Sequence, residues 1–67
     1  MKILLNNNPE ELAGESMTVN DLLRVKNFTF KMLVIKINDI LVKKTDYDTA
    51  LISNGDEVHV LHLISGG

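Results

Sequence analysis

The alternation of apolar and polar positions predicts several strands. Between Met32 and Asn38, the apolar residues at 33, 35 and 37 share one face of an extended chain, and Val34 and Lys36 share the other. The run Glu57–Ile64 is also apolar and β-branched, and it follows a turn signal. A shorter run, Lys2–Asn6, predicts the first strand.

A different spacing predicts one helix. Val19, Leu22 and Leu23 recur at helical intervals, and Thr18 stands before them as an N-cap. Asp21, three residues after the cap, completes a capping-box pattern. We expect the helix to end near residue 27.

Turn formers separate the remaining segments. Asn6–Pro9 predicts a turn into a short edge strand over Glu10–Gly14, and residues 38–39 predict a tight turn into a partner strand over 40–44. Thr45–Ile52 is predicted to hold a single helical turn capped by Thr45. Asn54–Asp56 predicts a turn with positive φ at its glycine.

These elements predict an α+β fold: a mixed sheet of four to five strands curled over one main helix. The last strand should lie parallel to the first and in the centre of the sheet. We expect one domain over residues 1–64 and a flexible tail over residues 65–67. The predicted core comprises Ile3, Leu5, Val19, Leu22, Leu23, Leu33, Ile35, Ile37, Leu51, Val58 and Val60.

Composition narrows the possible functions. The 67 residues are 45% hydrophobic and carry a net charge of −2, which gives no electrostatic reason to expect nucleic acid or an anionic membrane as partner. The sequence has no cysteine, so it offers no disulfide and no thiol nucleophile. We find no secretory signal and no apolar run of membrane-spanning length, and therefore expect a cytoplasmic protein.

Side chains with catalytic potential are few. His59 and His62 lie three apart on a predicted strand, so they should point to opposite faces and should not share a metal ion. Asp46 and Asp48 have no histidine or lysine placed to form an acid–base pair with them. The lysines at 36, 43 and 44 form a small basic patch, which we interpret as solvated surface.

The C-terminal sequence is the remaining candidate for chemistry. Two specified glycines occur by chance in about one chain in 200. Ser65, Gly66 and Gly67 follow directly after a predicted strand and would form a thread thin enough to enter a narrow tunnel. Such a tail delivers the α-carboxylate of Gly67, which must be activated by ATP. The sequence has no phosphate-binding loop, so another protein would bind the ATP.

The sequence resembles the small sulfur-carrier proteins of thiamine biosynthesis, which belong to the ubiquitin-like β-grasp group. The matching segments run along nearly the whole chain: "KILLN", "TVNDLL", "VIKINDILV", "TDYDT", "NGDEV" and the final "SGG". The most specific is "NGDEV" placed about ten residues before a terminal Gly-Gly. The sequence departs from the family at "NNNP", "IND" and "GESM", and at Tyr47, where tryptophan is frequent. We expect these departures to fall in turns and on the surface.

The resemblance implies a carrier rather than an enzyme. A partner adenylating enzyme, similar to ubiquitin-activating enzymes and using ATP and Mg²⁺, would adenylate Gly67. A persulfide from a desulfurase relay would displace AMP and leave a thiocarboxylate, and thiazole synthase would take the sulfur. The chain itself would bind no cofactor and no metal. The absence of cysteine agrees with this mechanism, because no internal thiol could capture the activated acyl group.

The strand alternation also predicts a partner-binding surface. If Val58 and Val60 face the helix, Leu61 and Leu63 face away from it, and exposed apolar surface commonly marks an interface. We expect these two leucines to contact the adenylating enzyme while the tail enters its active site.

Three other functions remain open from the sequence. A carrier for molybdopterin synthesis would use the same fold and terminal chemistry. A ubiquitin-like modifier would instead join Gly67 to a lysine through an isopeptide bond. A β-grasp binding module would have an inert tail.

Overall fold

The computed structural model describes residues 1–28 and 32–62. Their elements are the strands β1 (Lys2–Leu5), β2 (Asn8–Glu11), β3 (Ser16–Thr18), β4 (Leu33–Ile37), β5 (Ile40–Val42), β6 (Leu51–Ser53) and β7 (Glu57–His62), the helix α1 (Val19–Val25) and a 3₁₀ turn (Lys44–Asp46). None of the helices in these two ranges is long and apolar enough to cross a membrane. Residues 63–64 of the predicted last strand, the domain boundary at 64 and the tail 65–67 lie outside the described residues.

Five strands form one mixed sheet in the order β2-β1-β7-β4-β5. β1 and β7 are parallel, and the other neighbours are antiparallel. The predicted α+β architecture is confirmed, as is the prediction that the last strand is central and parallel to the first. A second sheet pairs β3 with β6, and the sequence did not predict it.

Helix α1 begins with the predicted capping box. The Thr18 hydroxyl accepts a hydrogen bond from the Asp21 N–H at 3.1 Å, and the Asp21 carboxylate accepts one from the Thr18 N–H at 3.4 Å. The N–H groups of Val19 and Asn20, which have no partner inside a helix, donate to the carbonyls of residues 50 and 47. The helix ends as expected, because Asn27 adopts a φ of 58°.

Two tight turns are built without glycine. Asn6 and Asn7 have φ values of 50° and 68°, and Asn38 and Asp39 have 51° and 68°. Positive φ at both central residues is the geometry that matches the twist of a hairpin. The first turn therefore uses only two residues, and β2 starts at residue 8 rather than at the predicted Glu10. Pro9 is tolerated inside β2 because that strand lies at the sheet edge.

The core differs from the predicted one around β6. Leu51 is 59% exposed, whereas Ile52 is fully buried, because residues 51–53 form a strand rather than a helical turn. Tyr47, expected on the surface, is buried at 8% exposure, and Leu12 is buried without having been predicted. Leu23, Leu33 and Ile37 are partly buried at the rim of the core. The other seven predicted core residues are buried: Ile3, Leu5, Val19, Leu22, Ile35, Val58 and Val60.

Candidate functional site: the outer face of the sheet

Strand β7 alternates between core and solvent as the sequence predicted. Val58 and Val60 are 0% and 7% exposed on the helix side, while Leu61 is 50% exposed on the opposite side. The predicted exposure of Leu61 is thus confirmed. Its contact with a partner stays a prediction, and Leu63 lies outside the described residues.

Neighbouring strands extend the surface around Leu61. In β4, Val34 lies opposite Leu61 and Lys36 lies opposite His59. In β5, Leu41 lies opposite Lys36 and is 58% exposed. We call these five side chains, Val34, Lys36, Leu41, His59 and Leu61, the outer face. Sequence analysis missed Leu41, although the two-residue turn at 38–39 fixes the register that places it there.

Hydrogen bonds hold the strands of this face in register. The Asn38 side-chain carbonyl accepts a bond from the Glu57 N–H at 2.9 Å, and its amide donates to Asp56 at 3.1 Å. On the other side of β7, the Asn6 side chain accepts a bond from the Val60 N–H at 2.9 Å. The turn asparagines therefore fix β7 between its two neighbours, and with it the direction in which Leu61 points.

The two histidines lie as predicted on a six-residue strand. His59 is half-buried, and its Nε2 lies 3.5 Å from a carboxylate oxygen of Glu57. His62, three positions on, is exposed. Over residues 1–28 and 32–62, no three His, Asp or Glu side chains are grouped closely enough to hold a metal ion.

The carboxylates at 46 and 48 have structural partners. Asp48 accepts a hydrogen bond from the Asn20 side-chain amide. The backbone carbonyl of Asp46 accepts bonds from Thr49 and Ala50 at the end of the 3₁₀ turn. In the described ranges neither carboxylate forms an ion pair with a histidine or lysine, so the pair offers no acid–base arrangement.

A shallow cleft of about 360 Å³ lies where β1 begins, beside the turn at Gly55. Lys2, Leu4, Pro9 and Asn54 contribute to its lining. Lys2 is its one titratable side chain, and a lone lysine without an acid or base beside it defines no reaction. The cleft lies near the start of β1 and β7, at the opposite end of these parallel strands from the C-terminal end of β7.

A mixed five-stranded sheet wrapped on one helix, with its last strand central and its outer face open, defines a ubiquitin-like β-grasp protein. Two solved structures share this fold. The crystal structure of the thiamine biosynthesis protein ThiS from Geobacter metallireducens superposes with a TM-score of 0.89 at 23% identity, covering all of both chains. The solution structure of a thiamine biosynthesis protein from the same organism gives a TM-score of 0.80 at 25% identity, covering all of this chain and 88% of that one.

The sequence comparisons identify the family. The ThiS family model matches residues 3–67, so the chain belongs to the ThiS family. A relative, the uncharacterized protein ycf40 of Trieres chinensis, is 26% identical over 66 residues, which cover 98% of this chain and 90% of that protein. The predicted family resemblance is confirmed.

Proposed function

We propose that the protein is a sulfur carrier whose Gly67 carboxylate is converted to a thiocarboxylate that donates sulfur to thiazole formation in thiamine biosynthesis. At the family level it is a thiamine-type sulfur carrier, since the ThiS match extends over nearly the whole chain. That match is the observation that carries the proposal, because it includes Ser65, Gly66 and Gly67.

The proposed chemistry needs three partners to act on Gly67. An adenylating enzyme transfers AMP from Mg²⁺–ATP to the carboxylate and releases pyrophosphate. A persulfide sulfur supplied by a desulfurase relay then attacks the acyl carbon and displaces AMP. A second thiol cleaves the resulting acyl disulfide, is itself oxidised to a disulfide, and leaves the thiocarboxylate. Thiazole synthase is the proposed acceptor of the sulfur, and the carrier catalyses none of these steps.

The open apolar face of the sheet supports a carrier that partner enzymes bind and act on. The described residues bring together no acid–base pair and no group of metal ligands, whereas they do present an open apolar face. Gly67 is the fifth residue after His62, and five residues of fully extended chain span at most about 18 Å. A partner that binds Leu61 and Leu63 must therefore hold its ATP within that distance of the end of β7. A cytoplasmic location, where these partners and ATP occur, stays a prediction.

The test uses the purified full-length chain with the adenylating enzyme from the same organism, Mg²⁺–ATP, a desulfurase and cysteine. Intact-mass spectrometry should show the replacement of one oxygen by sulfur, and only when ATP is present. Deleting Gly67, or adding one alanine after it, should abolish the change and leave the circular dichroism spectrum intact. Glu15→Gln, an exposed change in the β2–β3 connection, is the control variant and should gain sulfur as the wild type does.

Three results would contradict the proposal. An unchanged mass with an adenylating enzyme that is active on its own natural carrier would favour a binding module with an inert tail. Conjugates linked through Gly67 to lysines of other proteins would favour a ubiquitin-like modifier. Sulfur transfer to a molybdopterin precursor, rather than to thiazole synthase, would assign the carrier to the sister pathway.

A further inference from the structure

The two free edges of the five-stranded sheet differ in the backbone groups that they offer to another strand. β2 and β5 are the outermost strands, and each follows its neighbour through a two-residue turn. In such a hairpin the pair that closes the turn exchanges hydrogen bonds, and the next pair directs its backbone groups away from the partner strand. The second residue of each edge strand, Pro9 in β2 and Leu41 in β5, therefore directs its backbone groups outward.

The β2 edge is closed to another strand. The N–H of Leu4, which lies opposite Pro9, donates to the Asp56 carbonyl at 3.0 Å and so points away from β2. Pro9 therefore occupies the position whose nitrogen faces the free edge, and proline has no N–H to donate. Beside it, the Glu10 carboxylate accepts a hydrogen bond from the Lys26 ammonium at 2.6 Å. The missing donor and the charged pair both oppose strand pairing at this edge.

The β5 edge offers both a donor and an acceptor. On the β7 side of β4, the Asn38 N–H donates to the Glu57 carbonyl at 2.7 Å. Lys36, two residues earlier, has the same orientation, so its backbone points away from Leu41, its neighbour across the hairpin. The N–H and C=O of Leu41 therefore point to the free edge, and no other element among residues 1–28 and 32–62 bonds to them.

The side chains of β5 are apolar on both faces and largely exposed. Leu41 is 58% exposed on the outer side of the sheet. Ile40 lies on the helix side, because Val42, two residues on, is opposite the buried Ile35, yet Ile40 is 70% exposed. The core thus does not cover the first residue of β5. An exposed apolar edge with free backbone groups is a template for another strand.

The charges around Leu41 identify a second copy of the chain as the strand that fits. If two β5 strands pair antiparallel with Leu41 facing Leu41, Ile40 lies opposite Val42 and Asp39 lies opposite Lys43. The two-fold symmetry repeats each of these relations. Asp39 and Lys43 are exposed, and over residues 1–28 and 32–62 neither has an oppositely charged group within 4.0 Å. Opposite charges directly across a strand pair are favourable.

We propose that β5 is a self-association edge, at which two copies of this chain pair antiparallel about Leu41 and join their sheets into one. The two Leu41 residues exchange N–H···O=C hydrogen bonds, and Asp39 of each copy pairs with Lys43 of the other. The strand has only three residues, so the contact is smaller than a standard interface and the dimer is weak. Pairing in the plane of the sheet leaves the outer face uncovered. The proposal does not depend on the proposed function, and it gives Lys43 an ion pair in place of the solvated position expected from the sequence.

Self-association is tested by the concentration dependence of the wild-type, full-length chain. Two-dimensional NMR should show the Leu41 amide signal shifting with a dimerisation Kd of about 0.1–1 mM, as expected for a small contact, while the amides of β2 stay unchanged. Sedimentation velocity should show the average mass rising over the same range. A Leu41 amide signal that stays constant up to about 2 mM would overturn the proposal.

The register is tested by exchanging the two charges. Asp39→Lys and Lys43→Asp each set like charges opposite each other twice, so each variant alone should raise Kd about tenfold. An equimolar mixture of the two variants should dimerise with about the wild-type Kd, because each copy then carries the charges that complement the other. Glu15→Lys, the same charge change in an exposed connection, is the control and should leave Kd unchanged. A mixture that associates no better than either variant alone would overturn the proposed register.

A second pair of variants distinguishes the edge from the outer face. Leu41→Lys sets two like charges together at the centre of the proposed contact and should abolish dimerisation, whereas Leu61→Lys on β7 should not. Circular dichroism should show that both variants keep the fold, since both positions are at least half exposed. Dimerisation that is lost in Leu61→Lys and kept in Leu41→Lys would mean that the copies associate through the outer face, and it would refute the β5 edge.

Discussion

At the scale of single residues, Leu51 and Ile52 show how one step along a strand separates solvent from core. Leu51 is 59% exposed and Ile52 is 0% exposed, although both are large and apolar. β6 pairs with β3, so its central residue faces the helix side and its neighbours face outward. Hydrophobicity alone cannot distinguish the two positions.

We therefore expect opposite outcomes from truncating these neighbours. Ile52→Ala should lower the free energy of unfolding by about 2–5 kcal/mol, and Leu51→Ala should change it by less than about 0.5 kcal/mol. Urea denaturation followed by circular dichroism measures both. If Ile52→Ala does not fold, Ile52→Val should still lose about 0.5–1.5 kcal/mol. Equal losses at 51 and 52 would contradict the described burial.

The titration of Tyr47 should affect the stability of the protein. Desolvation by burial raises the pKa of its phenol above the ordinary value of 10.0. A raised pKa means that the contribution to stability is complete below the pKa of the unfolded chain and is lost as pH rises through the pKa of the folded protein.

The free energy of unfolding should consequently fall as the pH rises above about 10, the region in which an unfolded tyrosine ionises. Tyr47→Phe should remove this part of the pH dependence. Urea titrations at a series of pH values from neutral to alkaline measure the difference. Parallel curves for wild type and Tyr47→Phe would show that burial does not perturb this phenol.

At the scale of elements, the β4–β5 turn carries left-handed backbone at two residues with side chains. The Asn38 side chain forms hydrogen bonds with Glu57 and Asp56, and these bonds offset the cost of its left-handed backbone. Asp39 is exposed and has φ 68° without such bonds to the described residues. A residue with a Cβ is strained in this region, and glycine is not.

Replacing Asp39 should separate backbone strain from side-chain effects. Asp39→Gly should be more stable than Asp39→Ala by about 1 kcal/mol, because both remove the carboxylate but only alanine keeps a Cβ at positive φ. Thermal unfolding of the two variants under identical conditions measures the difference. Equal stability would mean that the turn changes its conformation when Asp39 is replaced.

At the scale of the whole molecule, the sheet is organised around β7. β7 joins β1 on one side and β4 on the other, whereas β2 and β5 are edges. The parallel pairing of β1 with β7 brings together segments from the two ends of the described chain. The sheet therefore cannot be completed from local contacts alone.

Hydrogen exchange should reflect this organisation. Backbone amides of β7 that bond to β4 should exchange slowest, at the rate set by global unfolding, because both neighbours of β7 must separate first. Amides of the edge strand β2 should exchange faster by local opening. Two-dimensional NMR after transfer to D₂O resolves the two sets. Equal protection in β2 and β7 would mean that the sheet opens only as a single unit.

The sequence was sufficient where the signal is local. The Thr18–Asp21 capping box, the turn at 38–39 and the positive φ of Gly55 are each encoded within a few residues, and all three were predicted correctly. β3 and β6 are only three residues long and pair across more than thirty intervening residues, so no local pattern reveals them. The error at Leu51 follows from that missed pairing.

The candidate site divides in the same way. The exposure of Leu61 follows from the alternation of one strand, and it was predicted. The contribution of Leu41 depends on the register between β4 and β5. This is a relation between two elements, which a single segment does not contain.

Because β7 alternates between inward and outward residues, it serves both the packing of the core and the contact with a partner. Its inward residues hold the protein together, and its outward residues, on the present proposal, are what a partner touches. A substitution at Val58 or Val60 should lower the amount of folded protein. A substitution at His59 or Leu61 should lower the affinity for the partner. Few positions on this strand can then change without consequence. Along its six consecutive residues, selection for the amount of folded protein and selection for partner binding act on alternate positions.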